Sequence, residues 1–426
     1  MTAQGDTIAA IATAPGPSGV AVVRVSGPDA FSIARRIAGR VPAPGSFAFT
    51  SFRDPRRTGE SNPVVDRGLV LSFAAPRSYT GEDVVEFHGH GGTLAPKRVL
   101  EACLAAGARL ARRGEFTQRA FLRGKIGFDE AESLLDFINA KTDRAADMAM
   151  SGMGGEKKRT LRSIYDMIVD LASSVENSLD VDESDLDDAF FAGLDSALAK
   201  LKSAIDAAIR REREGRLLRE GALVVIAGAP NAGKSSLMNA LLREERAIVS
   251  SVPGTTRDSI EEWLDVDGWP VRLVDTAGLR ETDDAIEAEG VRRAKKLAEK
   301  ADLVIALDCD VPGALRIHAK CDLGRSKGLN VSSLTGEGLA ELRQAIADAL
   351  SRRWAKSDEP FGKGESCGEA SSVLVGASAL LPSDFSDLVL AGNALRRASE
   401  RIGAEIGAEY TDDLLDRLFS RFCVGK

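Results

Sequence analysis

The chain has 426 residues, is 44% apolar and 28% charged, and carries a net charge of −8 with a pI near 5.3. That length calls for about two to four domains, and the acidic balance excludes a strongly basic nucleic-acid-binding field over the whole molecule. No apolar run reaches the length of a membrane span, the start "MTAQGDTIAA" lacks a secretory pattern, and five scattered cysteines without a C-x-x-C pair point to reduced thiols in a cytosolic protein.

To about residue 125, strands and helices mix. "GVAVVRVSG" (19–27), "GLVLSFAAP" and "DVVEFHGHGG" read as strands bounded by turn residues, and "LAPKRVLEACLAAGA" (94–108) has helical apolar spacing. His88 and His90 alternate onto one strand face. With His318 far away in sequence and no cysteine cluster beside them, a zinc site is not expected, and "GHGG" reads as a tight turn. From 129 to 219 the period is helical, interrupted by an acidic stretch at 180–188 that reads as a solvated loop. Strand-turn-helix alternation runs from 222 to about 354, a polar glycine-rich linker follows, and the end of the chain is helical again. That tail cannot bury its apolar stripe alone. Its natural partner is the earlier helical block, which makes the central α/β segment an insertion. The segments are therefore drawn as 1–125, 126–215, 216–379 and 380–426.

"GALVVIAGAPNAGKSSLMNALL" (221–242) holds G-x-x-x-x-G-K-S from Gly228 to Ser235, between a β-rich run and an apolar helix. Backbone amides of Asn231, Ala232, Gly233, Lys234, Ser235 and Ser236 at a helix start suit phosphate oxygens. Lys234 is placed to reach the β- and γ-phosphates and Ser235 to bind Mg²⁺. The bland alternative is a glycine-rich turn that only connects; the flanking strand and helix argue against it. Three further runs follow in GTPase order. "PGTTRD" offers Thr256 to Mg²⁺. "DTAG" offers Asp275 to Mg²⁺ through water and Gly278 to the γ-phosphate, with Thr276 and Ala277 between them. "AKCD" and "VSSLTGEG" supply Lys320, Asp322, Ser332 and Ser333 around a guanine base. Asp322 accepts from guanine N1 and its exocyclic amine, which adenine does not offer. Ala319 stands where the guanine motif carries an asparagine that braces the loop. Only residues 308–314 link the strands "ADLVIAL" and "LRIHA", too few for a helical crossover. One sheet face should therefore lack a helix, and another domain or subunit is expected to shield it.

These runs, together with "DTIAAIATAPGPSGVAVVRVSG", "YTGEDVVEFHGHGG", "RRGEFTQRAFLRGK", "DTAGLRE" and the terminal "FCVGK", resemble the tRNA-uridine-modifying GTPase family called MnmE or TrmE over nearly the whole chain. The resemblance implies a multidomain α/β architecture: an N-terminal α+β tetrahydrofolate-binding-like domain, a discontinuous helical domain and an inserted Ras-like P-loop GTPase domain. It also implies how water is handled where Leu279 replaces the usual glutamine. K⁺ would be held by Asn231 and by Ser250, Val252 and Thr255 in a loop that orders when two GTPase domains meet in a homodimer. Glu287 would orient the water, with Glu289 the nearest alternative, and Arg257 and Arg280 would serve structure or the dimer. Arg24, Glu82, Lys125 and Lys426 match contacts to a 5-formyl-tetrahydrofolate-type one-carbon donor. The implied activity is GTP hydrolysis that, with the FAD/NADH-dependent partner MnmG (GidA), supports an aminomethyl or carboxymethylaminomethyl group at the wobble uridine of cytoplasmic tRNA, without membrane attachment. A ribosome-assembly GTPase is the first rival, although it calls for a basic RNA-binding appendage that the sequence lacks. A folate-dependent one-carbon transferase with a regulatory GTPase domain is the second. Cys423 reads as a small packed residue rather than a catalytic thiol.

Overall fold

The computed structural model describes residues 5–56, 63–179, 187–229, 231–244, 261–275, 299–355, 372–406, 419–420 and 422–425. They fall into two compact units, Met1–Leu135 with Glu409–Lys426, and Asp136–Ala408. None of the described helices is long and apolar enough to cross a membrane.

In the first unit a six-stranded sheet is built from β1 (Ile8–Ile11), β2 (Val20–Ser26), β3 (Phe47–Arg53), β4 (Val64–Phe73), β5 (Val84–His90) and β6 (Arg109–Leu110), in the order β3-β4-β5-β2-β1-β6. Every pairing is antiparallel except β1 with β6. Alternation in β2 decides the faces. Val23 and Val25 enter a core with Ile33 and Ile37 of α1 (Ala30–Ala38), Val99 and Cys103 of α2 (Ala95–Ala105), and the strand residues Phe52 and Phe87. Phe52 and Phe87 meet edge to face at 5.3 Å, and burying each contributes about 1.5–3 kcal/mol. Arg24 and Ser26 therefore stand on the opposite, polar face, opposite Glu86 and Val84 of β5.

The expected turn at "GHGG" is instead strand as far as His90, which pairs with Val20. Gly89 is in that strand because a Cβ there would lie 2.3 Å from the Asp66 carboxylate. That carboxylate accepts from the His90 amide and pairs with its ring at 2.6 Å, while His88 pairs with Glu86 at 2.9 Å. Each histidine thus has one carboxylate partner. No group of three or more metal-binding side chains occurs among the described residues.

Helices α3 (Glu115–Leu122) and α4 (Phe128–Asn139) follow, and the C-terminal tail closes onto them. Phe419 and Phe422 are buried with Phe128, Ala131 and Leu135, an i, i+3, i+7 stripe. Two glycines permit the approach. Gly114 lies at φ 65° with the Phe419 carbonyl 2.2 Å from a would-be Cβ, and Gly425 at φ 101° with the Ile11 carbonyl 2.3 Å away. Residues 419–420 and 422–425 thus pack in the first unit, while the helix ending at Ile406 packs in the second.

The second unit holds two cores. α5 (Asp143–Met153), α6 (Glu156–Ser178) and α7 (Asp188–Glu220) lead into it, and α7 runs unbroken through residue 215. Leu161, Ile164, Ile168 and Val175 of α6 and Leu194 to Ile205 of α7 form one core with α10 (Ser372–Ser378) and α11 (Leu388–Ile406). The other core is a sheet of β7 (Ala222–Gly228), β8 (Glu261–Val266), β9 (Trp269–Asp275), β10 (Leu303–Leu307), β11 (Leu315–Ala319) and β12 (Leu329–Val331), in the order β12-β11-β10-β7-β9-β8. All pairs are parallel except the edge pair β8–β9. Leu237, Met238 and Leu241 of α8 (Lys234–Glu244) and Leu342, Ile346 and Leu350 of α9 (Leu339–Ala355) bury against it, as do Ala145 of α5 and Leu217 and Leu218 of α7. Arg144 stacks on Trp269 at 4.2 Å, and Thr142 Oγ1 donates to the Gly268 carbonyl at 2.9 Å.

Residues 308–314 cross from β10 to the parallel β11 without a helix, as their number required. The face at β11 is the one expected to be shielded by another domain or subunit. Its outward side chains there are Arg316 and His318, paired with Asp310 and Asp308, and polar groups of this kind stay solvated without cover.

Candidate nucleotide-binding site

The central strand β7 has β9 on one side and β10 on the other, so the chain order reverses there. In open α/β sheets that switch point, at the carboxyl ends of the strands, is where ligands bind. Gly228 ends β7, Asp275 ends β9, Ala319 ends β11 and Val331 ends β12, and the parallel strands put all four at one edge.

The loop after β7 turns through two residues of positive φ, Asn231 at 62° and Gly233 at 94°, before α8 begins at Lys234. This conformation points successive amides into one concavity. Lys234 is 7% exposed and its ammonium donates to the Gly228 and Ala229 carbonyls at 3.0 and 2.9 Å. Ser235 Oγ donates to Asp275 Oδ2 at 2.5 Å. A hydroxyl and a carboxylate side by side next to an ammonium form a hard-oxygen donor set suited to Mg²⁺ and a phosphate.

At the neighbouring strand ends, Lys320 lies at φ 57° and its ammonium donates to the Asn231 carbonyl at 3.1 Å. Its side chain passes 3.7 Å from where a Cβ on Gly233 would sit, which ties the base segment to the phosphate loop. Asp322 Oδ1 accepts from the fully buried Ser332 hydroxyl at 2.5 Å, and that hydroxyl also accepts from the Leu334 and Thr335 amides. Of the residues read from sequence, Asn231, Ala232, Gly233, Lys234, Ser235, Ser236, Asp275, Lys320, Asp322, Ser332 and Ser333 lie at this edge. Ser250, Val252, Thr255, Thr256, Thr276, Ala277, Gly278, Glu287 and Lys426 lie outside the described residues, as do Arg257, Arg280 and Glu289.

The first unit has its own polar cluster. Arg24 donates to Glu86 at 2.8 Å and lies over the rings of Tyr79 and Phe116 at 5.3 and 5.6 Å. Glu82, 8% exposed, accepts from Ser26, Arg119 and Arg123 at 2.8, 3.0 and 2.7 Å. Lys125 donates to the Pro76 carbonyl, and its side chain lies 3.3 Å from a would-be Cβ on Gly81. Arg24 and Lys125 thus flank the 79–82 turn that carries Glu82. A carboxylate offers about four lone-pair sites, so a ligand edge bringing two donors to Glu82 has to displace one of its partners. Behind it, Glu115 is 1% exposed and takes two bonds from Arg109, one from the Arg112 amide and one from Arg119. Burial works to raise its pKa, but those bonds outweigh it and bring the carboxyl down to about 2.

Residues 7–125 match a family model described as GTP-binding protein TrmE N-terminus, and residues 128–423 match one described as MnmE helical domain. The tRNA modification GTPase MnmE of Nitrosospira multiformis is 38% identical over 457 residues, covering 99% of this chain and 100% of that one. The protein of that name from Neisseria meningitidis is 39% identical over 456 residues, with 99% of each chain covered. The chain belongs to the MnmE family.

Among solved structures, the G domain of the T. maritima FeoB iron transporter matches 30% of this chain at 26% identity with a TM-score of 0.22, too loose a superposition to align site residues. Membership in the MnmE family accounts for the multidomain α/β architecture and its P-loop nucleotide domain. Two features escaped the sequence reading. Arg119 and Glu115 lie inside a quoted motif, but their roles depend on Asp6 and Glu82, far away in sequence. Asp308 bonds the His318 ring and the Ala319 amide, and only the shortness of the 308–314 connection marked that region as unusual.

Proposed function

We propose that this chain is a GTP hydrolase that acts in tRNA modification: a K⁺-activated, dimerisation-dependent GTPase which, with the FAD/NADH-dependent partner MnmG, supports formation of 5-aminomethyl- or 5-carboxymethylaminomethyluridine at the wobble position in the cytoplasm. The observation that carries the hydrolase reading is the meeting of Lys234, the Ser235–Asp275 pair and the Lys320–Asp322 segment at one sheet edge. Water attacks the γ-phosphorus, the bond to the β–γ bridging oxygen breaks, and GDP and phosphate leave. Lys234 exchanges its loop carbonyls for β- and γ-phosphate oxygens. Ser235 and Thr256 would supply oxygens to Mg²⁺, with Asp275 assisting beside them, and Gly278 would donate its amide to the γ-phosphate. Asp322 selects guanine. Leu279 has no polar atom; the family pattern gives the orienting of the water to Glu287, and Asn231, Ser250, Val252 and Thr255 would hold K⁺, which would supply positive charge where the transition state gathers negative charge. Arg24, Glu82, Lys125 and Lys426 take a formyl-tetrahydrofolate-type donor, the cations facing its glutamyl tail.

The test is single-turnover GTP and ATP hydrolysis in K⁺ and in Na⁺. GTP should be cleaved faster in K⁺, and Glu287→Ala should lose roughly 10²–10⁴-fold. Equal rates in the two cations remove the K⁺ mechanism, and retained activity in the variant removes Glu287.

A further inference from the structure

The pairing of β10 with β11 ends in a particular way. The Asp308 amide still donates to the Ile317 carbonyl at 3.1 Å, as a parallel ladder requires. Asp308 then turns into the left-handed region, at φ 49°, a conformation that aspartate adopts more readily than most residues. Its side chain takes the next place in the ladder: Oδ2 accepts the Ala319 amide at 3.1 Å. The other oxygen, Oδ1, lies 2.5 Å from His318 Nδ1, and His318 Nε2 lies 2.9 Å from the Gly324 carbonyl. Both partners are acceptors, so a ring bonded to both carries a proton on each nitrogen. The Asp308 bond is the main cause that raises the His318 pKa. The other charged groups nearby are engaged elsewhere: Arg316 with Asp310, Lys320 with the Asn231 carbonyl, and Arg325 with Glu337. Asn330, opposite His318 on β12, bonds Ser326 and Gly328.

We propose that Asp308, with His318, is the positioning device of the guanine-recognition segment Ala319–Asp322, and does the work of the asparagine side chain absent at 319. This rests on the nucleotide reading of the site. The segment needs such a device because Lys320 is itself at positive φ, a strained conformation for a non-glycine residue. A charged brace on the Ala319 amide and the His318 ring fixes where Lys320 leaves the strand. It thereby fixes how Asp322 faces the base.

Fluorescent GDP titration of the full chain tests this. Asp308→Ala should raise the Kd about tenfold or more, while the single-turnover rate at saturating GTP changes much less. Ala319→Asn should recover most of that loss in the Asp308→Ala background and gain far less in the wild type. An unchanged Kd in Asp308→Ala, or the same gain from Ala319→Asn in both backgrounds, overturns the proposal. If Asp308→Ala is unfolded, Asp308→Asn takes its place: it keeps the shape and the φ preference, and should weaken binding less. The wild-type Kd should rise as pH climbs through the His318 pKa, because a neutral ring keeps only one of the two bonds. His318→Gln should be weaker and flat over the same range, and matching profiles overturn the His318 part. If the wild type binds no guanine nucleotide, the nucleotide reading itself fails.

Discussion

Lys234→Ala is expected to lower kcat/KM for GTP by roughly 10²–10³-fold, the usual cost of removing one preorganised donor aimed at developing charge. Lys234 is 7% exposed, and among the described residues its ammonium is held by the carbonyls of Gly228 and Ala229. These are neutral acceptors of the same loop, so phosphate oxygens replace them at small cost and make stronger, charge-assisted bonds. The ammonium also lies beside the start of α8, where the amides already favour an anion, so both effects act on the same oxygens. The loss should appear in kcat as well as KM, because charge on the β–γ bridging oxygen grows as the bond breaks. Stopped-flow binding and single-turnover assays separate the two. A variant that binds and cleaves GTP like the wild type would reduce the loop to a connector. The midpoint of unfolding should move little, since two carbonyls losing a donor in a partly open loop remain within reach of water.

The second large effect is on stability. Glu115→Ala should destabilise the first unit by about 1–3 kcal/mol, because Arg109 and Arg119 would lose their most buried partner while keeping Asp6 and Glu82. That corresponds to a fall of roughly several °C in the transition of that unit, read by calorimetry of the full chain. Glu115→Gln, which keeps the shape and loses the charge, should fall between wild type and alanine. The pH dependence has a definite sign. The folded pKa of Glu115 is lowered to about 2 from 4.5. Its contribution is therefore fully present above pH 4.5 and is lost as pH falls through that window toward 2. The glutamine variant should lack this part of the acid sensitivity. Equal acid profiles for wild type and Glu115→Gln would show that the network adds nothing to folding.

Much of this arrangement was legible from pattern. The valine-rich run bounded by glycines at 19–27 predicts the strand β2, and its register with β5 is what puts Arg24 opposite Glu86. Lys234 and Ser235 follow from a glycine-rich turn between strand and helix. The apolar stripe of α11 predicts a helical partner, and it lies with α6 and α7. What was illegible has a common cause. "GHGG" reads as a turn because glycines favour turns, but Gly89 is a strand residue made necessary by Asp66, a neighbour across the sheet. Arg109 pairs with Asp6, 103 positions away, so no local window holds the network. Asp308 looks like an ordinary loop aspartate until its backbone turns and its carboxylate stands in for a carbonyl. The switch positions outside the described residues, Glu287 among them, rest on the family pattern alone.

Helix α7 has a mechanical consequence. Its 33 residues make a rod about 50 Å long. Leu198, Leu201 and Ile205 fasten one stretch in the helical core, and Leu217 and Leu218 fasten its end beneath the nucleotide sheet. With both grips apolar and no break between them, neither end can swivel independently. A tilt of 5° at the sheet end would sweep the far tip through about 4 Å by that length, so the rod would carry any small change at the sheet across the unit as a displacement the size of a side chain.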